Sequence, residues 1–245
     1  MAAVILFAVL PAAAKDVEAQ KTFEEANQNF EKGDVDGALT RYETLAARGF
    51  GGAPLFYNLG NVHYRRGERG KAILWYERAE RLAPRDSDIR FNLGLARSHI
   101  KLESENIFQR AATYFNENEL SLSTAAFSAL FFLLLGLLAL GKVSAESWSA
   151  VAIIVTGVLF LGSGGWLGLR VYIDRQPQGI VVSPPGEVRN GPGADYAVGF
   201  TVPEGSTVLI LNSRPDWTQV GVPEQGLKGW MPANEIEPIT SKALS

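Results

Sequence analysis

FYNLGNVHYRRGERGKAILWYERAERLAP, residues 56–84, is the stretch that decides the fold. It reads as a helix, a turn at Gly67 and a second helix stopped by Pro84. It also has echoes on both sides. Ala26, Gly60 and Gly94 lie 34 residues apart, and Gly33 and Gly67, Ala38 and Ala72, and Tyr42 and Tyr76 keep the same interval. A period of that length marks a helical unit stacked on copies of itself, each burying a face that it cannot bury alone. The small residues Ala26, Gly60, Gly94, Ala38 and Ala72 let the two helices of a unit approach closely. Tyr42 and Tyr76 fill the space between units, and Gly33 and Gly67 sit where each first helix must stop.

A 34-residue helix–turn–helix resembles the tetratricopeptide repeat (TPR), and the second copy resembles that family's pattern at Leu59, Gly60, Tyr64, Gly67, Ala72, Tyr76, Ala79 and Pro84. The first copy departs from it, with Glu25 where the family prefers leucine and no closing proline. The third, DIRFNLGLARSHI, supplies only a first helix and caps the stack, so residues 15–102 read as a short α-helical solenoid. The resemblance implies a concave face lined by the first helices, here Phe23, Asn27, Phe30, Tyr57, Asn61, Tyr64, Arg65 and Phe91. Asn27 and Asn61 are spaced to hydrogen-bond an extended peptide, with the aromatics adding apolar contact. The alternative for Phe23, Phe30 and Phe91 is that they close a small core. The chaperone-tail subset of the family has a lysine where Phe23 stands, so an acidic C-terminal tail is not the expected ligand.

The remaining composition sets the class. The 245 residues carry a net charge of −3, which offers no basic face to nucleic acid. There is no cysteine, so disulfides and thiol chemistry are excluded. Two uncharged apolar runs, 122–140 and 148–169, are each about the ~20 residues that cross a bilayer, and a connecting helix, 103–121, leads into the first. Trp148, Trp166 and Tyr172 stand near the ends of the second run as interfacial anchors. Gly164 and Gly168 form a G-x-x-x-G pair that permits close helix approach. Residues 1–14, MAAVILFAVLPAAA, read as an export signal cleaved after the Ala12-x-Ala14 pattern, although no Lys or Arg precedes the apolar core; the alternative is a buried N-terminal helix. Two spans put both flanking regions on one side of the membrane. Arg110, Arg170 and Arg175 against Lys142 lean toward the cytoplasm, and the signal leans toward export. The signal is the stronger guide, giving a two-pass protein of the bacterial inner membrane with both soluble regions periplasmic.

After the linker RVYIDRQPQG the chain turns to short β-rich runs: IVV (180–182), STVLILN (206–212), WTQVGV (217–222) and GWMP (229–232). Such runs suggest a small all-β barrel. Val188-Arg189, GPGADY, the PEGS turn, Trp217 and GLKGWMP resemble the bacterial SH3 (SH3b) family over residues 178–240. The resemblance implies protein docking or binding of cell-wall peptides, through an aromatic patch of Tyr196, Trp217 and Trp230; the alternative, favoured for Trp230, is that the ring plugs the barrel. RNGPGADY (189–196) has the composition of a phosphate loop but no helix follows it. Its glycines read as positive-φ turn residues, and Arg189 as a brace.

No nucleophile–base pair, metal cluster or cofactor loop emerges, so the expectation is a non-enzyme with no metal, cofactor or catalytic residue. His63 and His99, the only histidines, read as packing residues, and the RRGERGK run (65–71) reads as a solvated face with an anion contact as its alternative. The order signal, TPR, membrane hairpin, SH3b resembles the BatE family of the aerotolerance (Bat) operon. That resemblance implies Bat-operon membrane proteins and a MoxR-type ATPase as partners, with a role in oxidative-stress tolerance or envelope integrity. The expected function is a membrane-anchored scaffold binding proteins or peptides through the TPR groove and, more weakly, the SH3b module. The alternative is a peptidoglycan-binding sensor or an accessory subunit of a cell-wall enzyme.

Overall fold

The computed structural model describes residues 2–98, 100, 111–143, 148–184, 186–222 and 226–240, with side chains from Asp16 onward. The expected connecting helix falls largely on residues 103–110, outside this set, as does His99. The chain divides into two units: Met1–Glu103 with Pro177–Ser245, and Ser104–Gln176.

The first unit begins with five helices: α1 (Ala2–Glu31), α2 (Val35–Ala47), α3 (Ala53–Arg65), α4 (Arg69–Leu82) and α5 (Ser87–Arg97). The apolar run expected to be a signal lies within α1, continuous with the first repeat helix. Gly33 and Gly67 take φ of 83° and 76°, so each antiparallel pair turns through a left-handed residue that glycine tolerates without a Cβ clash. Asp34 accepts a hydrogen bond from the Gly37 N–H (3.0 Å) and caps α2, while Asp86 caps α5 through Asp88 and Ile89. Between the pairs Ala26, Ala38, Tyr42, Leu59, Val62 and Ala79 are buried together. The close approach expected at Gly60 is present: a Cβ there would stand 2.5 Å from the Tyr76 ring. At Gly94 it is absent, because nothing lies within 4 Å of that position.

The second part of this unit is a seven-stranded antiparallel sheet: β1 (Gln178–Val181), β2 (Gly186–Arg189), β3 (Val198–Val202), β4 (Thr207–Ser213), β5 (Trp217–Val222), β6 (Leu227–Pro232) and β7 (Ile236–Pro238). Its strand order is β3-β2-β6-β5-β4-β1-β7, and among the described residues no ladder joins β3 to β7. Val181, Val188, Val202, Val208, Val220, Met231 and Ile236 form its core. The four β-rich runs seen in the sequence become β1, β4, β5 and β6. Strands β2, β3 and β7 carry no apolar run: β3 exposes Val198 and Gly199, and β7 is three residues long.

Sheet and helices share one core. Ile73, Tyr76, Leu93 and Ala96 pack in one buried cluster with Ile180 of β1 and Ile239 beyond β7. Arg78 donates from Nε to the Ile239 carbonyl (3.0 Å) and from Nη2 to that of Pro238 (2.8 Å). Two regions that read as separate modules in the sequence therefore form one body.

The second unit contains α6 (Glu117–Ala139) and α7 (Trp148–Asp174), both long and apolar enough to cross a membrane. A reciprocal capping box between Asn116 and Glu119 starts α6. The two helices meet closely at Gly157, where a Cβ would lie 3.0 Å from the Phe131 ring. The G-x-x-x-G pair does not perform that role: Gly164 has only an ordinary contact with Thr124, and Gly168 has none. Arg170, 2% exposed, pairs with Asp174 (2.6 Å) and donates to the Thr113 carbonyl (2.9 Å).

Candidate functional site

The helical array holds a hollow of about 230 Å³ lined by Phe30, Tyr57, Asn61, Tyr64, Arg65, Tyr76, Asn92 and Leu95. Five of the eight residues expected in the groove meet here: Phe30, Tyr57, Asn61, Tyr64 and Arg65. Phe23 is instead partly buried against the core, its ring 5.8 Å from that of Tyr42. Phe91, 71% exposed, lies outside the lining of the hollow, and so does Asn27.

The asparagine oxygens are engaged within the array. Asn27 Oδ1 accepts from the Tyr42 hydroxyl (2.6 Å) and from Asn58 Nδ2 (2.9 Å). One repeat later Asn61 Oδ1 accepts from the Tyr76 hydroxyl (2.7 Å) and from Asn92 Nδ2 (3.0 Å). An amide oxygen has two lone pairs, and both are used. These oxygens are therefore joints of the array, unable to receive a peptide N–H. Burial keeps both tyrosines protonated, and loss of solvation pushes the Tyr42 hydroxyl up to about 12, against the downward pull of its bond with Asn58. Asn58 and Asn92 went unnoticed in the sequence, although they keep the 34-residue interval.

What the hollow still offers is donors. Tyr57 accepts a bond from Asn92 (2.9 Å) and keeps its own O–H to give. The Arg65 guanidinium is fixed 4.3 Å above the Phe30 ring and donates to the Phe30 carbonyl (3.3 Å). Aromatic walls with outward-directed donors suit a segment that presents acceptors, as the carbonyls of an extended peptide do.

The turn beside the groove holds the basic run, and its charges are largely spent internally. Arg66 pairs with Asp36 and with Glu68 (2.8 Å), and Lys71 lies 3.9 Å from Glu68. The anion contact considered for this run is therefore not supported at Arg66 or Lys71. His63 is a buried packing residue, as its pattern implied, but with an unforeseen partner: Nδ1 lies 2.7 Å from the Glu68 carboxylate. Burial holds the imidazole below its ordinary range, against the upward pull of Glu68. The native state thus resists a proton that the unfolded chain accepts below about pH 6.5, so stability is full above that pH and falls as pH drops. Melting followed at pH 7.5 and 5.0 should show a lower midpoint at pH 5.0, with the difference reduced in His63→Gln.

On the sheet, Tyr196 is 51% exposed and Trp217 is half-buried, but Trp230 is only 8% exposed. The Arg214 guanidinium covers its ring at 4.7 Å, which removes Trp230 from any binding patch. RNGPGADY is held as a brace: Arg189 Nη1 donates to the carbonyls of Ala194 (2.9 Å) and Tyr196 (2.8 Å). Its glycines have another reason than positive φ. A Cβ at Gly191 would enter the Tyr196 ring, and one at Gly193 would lie 3.3 Å from it, and neither residue is left-handed. Among the described residues no group of three His, Asp or Glu is gathered to hold a metal.

Paired antiparallel helices with this 34-residue interval and an aromatic hollow define a helical-repeat protein. The family comparison agrees where the pattern is strongest: residues 53–86, which are α3, the turn and α4, match the tetratricopeptide repeat. No curated protein matches the chain.

Proposed function

We propose that the protein is a non-enzymatic scaffold anchored in the bacterial inner membrane, which holds a protein or peptide segment in the hollow of its repeat array. The observation that carries this reading is the hollow itself, with its tyrosine walls, its internally saturated asparagine oxygens and its remaining donors. Repeat arrays of this kind suggest protein partners in general. The shared core supports the anchor: residues before and after the two apolar helices pack together, as they do when a hairpin returns the chain to the side it left. The layout supports a periplasmic location, a cleaved export signal at 1–14, an SH3-like module at 178–240 and partners among Bat-type envelope proteins. Tyr196 and Trp217 supply the module's second, weaker contact.

The test uses the full chain, tagged and recovered from membranes after cross-linking. Tyr64→Ala and Arg65→Ala leave the buried network of Tyr76, Asn61 and Asn92 in place. Each variant should lose at least tenfold of a specifically captured protein while melting like the wild type. Capture unchanged in both, with loss only in Tyr196→Ala, would move the binding site to the sheet.

A further inference from the structure

In a repeat array the last helix pair leaves an apolar face open, which a capping element must cover. Here the outer side of α4 and α5 meets the sheet, and α4 carries three features that make sense only with the sheet in place. The first is Gly70. Glycine weakens a helix, yet here a Cβ would lie 2.6 Å from the Val181 carbonyl oxygen and 2.7 Å from Val182 Cα. Those are backbone atoms of the sheet, which cannot swing aside as a side-chain tip can. The second is the start of the helix. Glu68, in the N-cap position, makes no side-chain capping bond, while Glu204, 134 residues away along the chain, accepts from the Gly70 N–H at 2.7 Å. A carboxylate from the PEGS turn thus does for α4 what a cap residue normally does, and its negative charge suits the positive end of the helix.

The third feature is Arg78. It is 8% exposed, lies 4.4 Å over the Trp75 ring and gives two hydrogen bonds to carbonyls at the end of the last strand, those of Pro238 and Ile239. A buried guanidinium needs such acceptors, because its desolvation is costly. The Gly205 backbone belongs to the same fit. Its φ is 84°, and any side chain there would collide with Ile73. On its other side α5 gives Asn92 to the groove, where it bonds both Tyr57 and Asn61.

We propose that the C-terminal sheet is the closing cap of the helical array: it replaces the terminal helix of the stack and holds α5 in the position that shapes the groove. The array is then completed by chain that follows both apolar helices, and the sheet face on α4 is not available to an outside partner.

The full-length protein in detergent tests this by hydrogen exchange. Gly70→Ala changes no residue of the sheet and favours α4 as an isolated helix. If the sheet is the cap, exchange should quicken at least tenfold in Gln178–Val181 and Ile236–Pro238 and also in Ser87–Arg97. Arg78→Met, which keeps helix propensity and most of the side-chain volume, should give the same pattern through loss of the two carbonyl bonds. Exchange within twofold of wild type in the sheet and in α5 for both variants would overturn the proposal. So would slower exchange in α4 with no change elsewhere, the result expected of two modules that fold apart.

Discussion

Tyr76→Ala should cost the helical array about 4 kcal/mol, the range seen for emptying a buried aromatic site. Tyr76 is 1% exposed and its ring fills the space above Gly60, which has no side chain of its own to occupy it. The ring also packs 5.9 Å from Tyr57, and its hydroxyl occupies one of the two lone pairs of Asn61. Removing it opens a cavity between α3 and α4 and unfastens the network that shapes the groove. For a body of this size the midpoint should fall by roughly 10 °C, since 1 kcal/mol corresponds to about 2–4 °C in domains of 150–250 residues. Tyr76→Phe separates packing from hydrogen bonding. It keeps the ring and loses one bond to Asn61, so its cost should be about 1 kcal/mol. Thermal melts of the three proteins, followed by far-ultraviolet circular dichroism, check the order. A Tyr76→Ala protein that melts like Tyr76→Phe would mean that the ring does not fill the site.

Arg170→Leu should be the most damaging change in the apolar hairpin, at about 3–5 kcal/mol. The guanidinium is almost fully buried, the carboxylate of Asp174 is 16% exposed, and the two pair at 2.6 Å. Leucine removes the Arg170 cation from that carboxylate and one donor from the Thr113 carbonyl. Most of the penalty is a desolvated carboxylate losing this partner rather than the net worth of the pair, because a buried pair repays little more than its own desolvation. The double variant Arg170→Leu/Asp174→Leu should therefore recover much of the loss. Unfolding in mixed micelles, read from the fluorescence of Trp166 in a background with the other four tryptophans replaced by phenylalanine, gives the comparison, since Trp166 donates to the Ala112 carbonyl at 3.1 Å. A double variant as unstable as the single one would show that Arg170 acts through the Thr113 carbonyl instead.

The repeat was legible in the sequence because its signals are local. Glycine at a turn, alanine at a close approach and tyrosine between pairs recur every 34 residues, and each acts on chain within one or two helices. The two apolar helices were legible from composition alone. The docking of sheet on helices was hidden for the opposite reason. Gly70, Arg78 and Glu204 look like ordinary surface residues, and their partners lie more than 100 residues away. One hint stood in view: Gly70 weakens a helix that the rest of its sequence favours, and such a residue needs a neighbour to explain it.

Within the groove the same division holds. Aromatic positions could be assigned from helix spacing, so Tyr57, Tyr64 and Arg65 fall where expected. Which asparagine atoms stay free depends on side chains a full repeat away, and that placement commits the Oδ1 atoms of Asn27 and Asn61 to the array itself. Trp230 was lost to the patch through Arg214, sixteen positions earlier in the turn between β4 and β5. Gly191 looked like a turn glycine because glycine is the commonest solution to positive φ, whereas its actual constraint is the ring of Tyr196.

The proposed function requires the helical array and the sheet, which share one core, to lie on the same side of a two-pass membrane anchor. A chain without cysteine allows this to be measured directly, with one cysteine at a time and a membrane-impermeant maleimide. Lys32, Lys142 and Lys228 are exposed, in the array, after the first apolar helix and in the sheet. In intact spheroplasts Lys32→Cys and Lys228→Cys should both be labelled, and Lys142→Cys only after permeabilisation. Labelling of Lys32→Cys and Lys228→Cys from opposite faces, or of all three from the same face, would contradict the account.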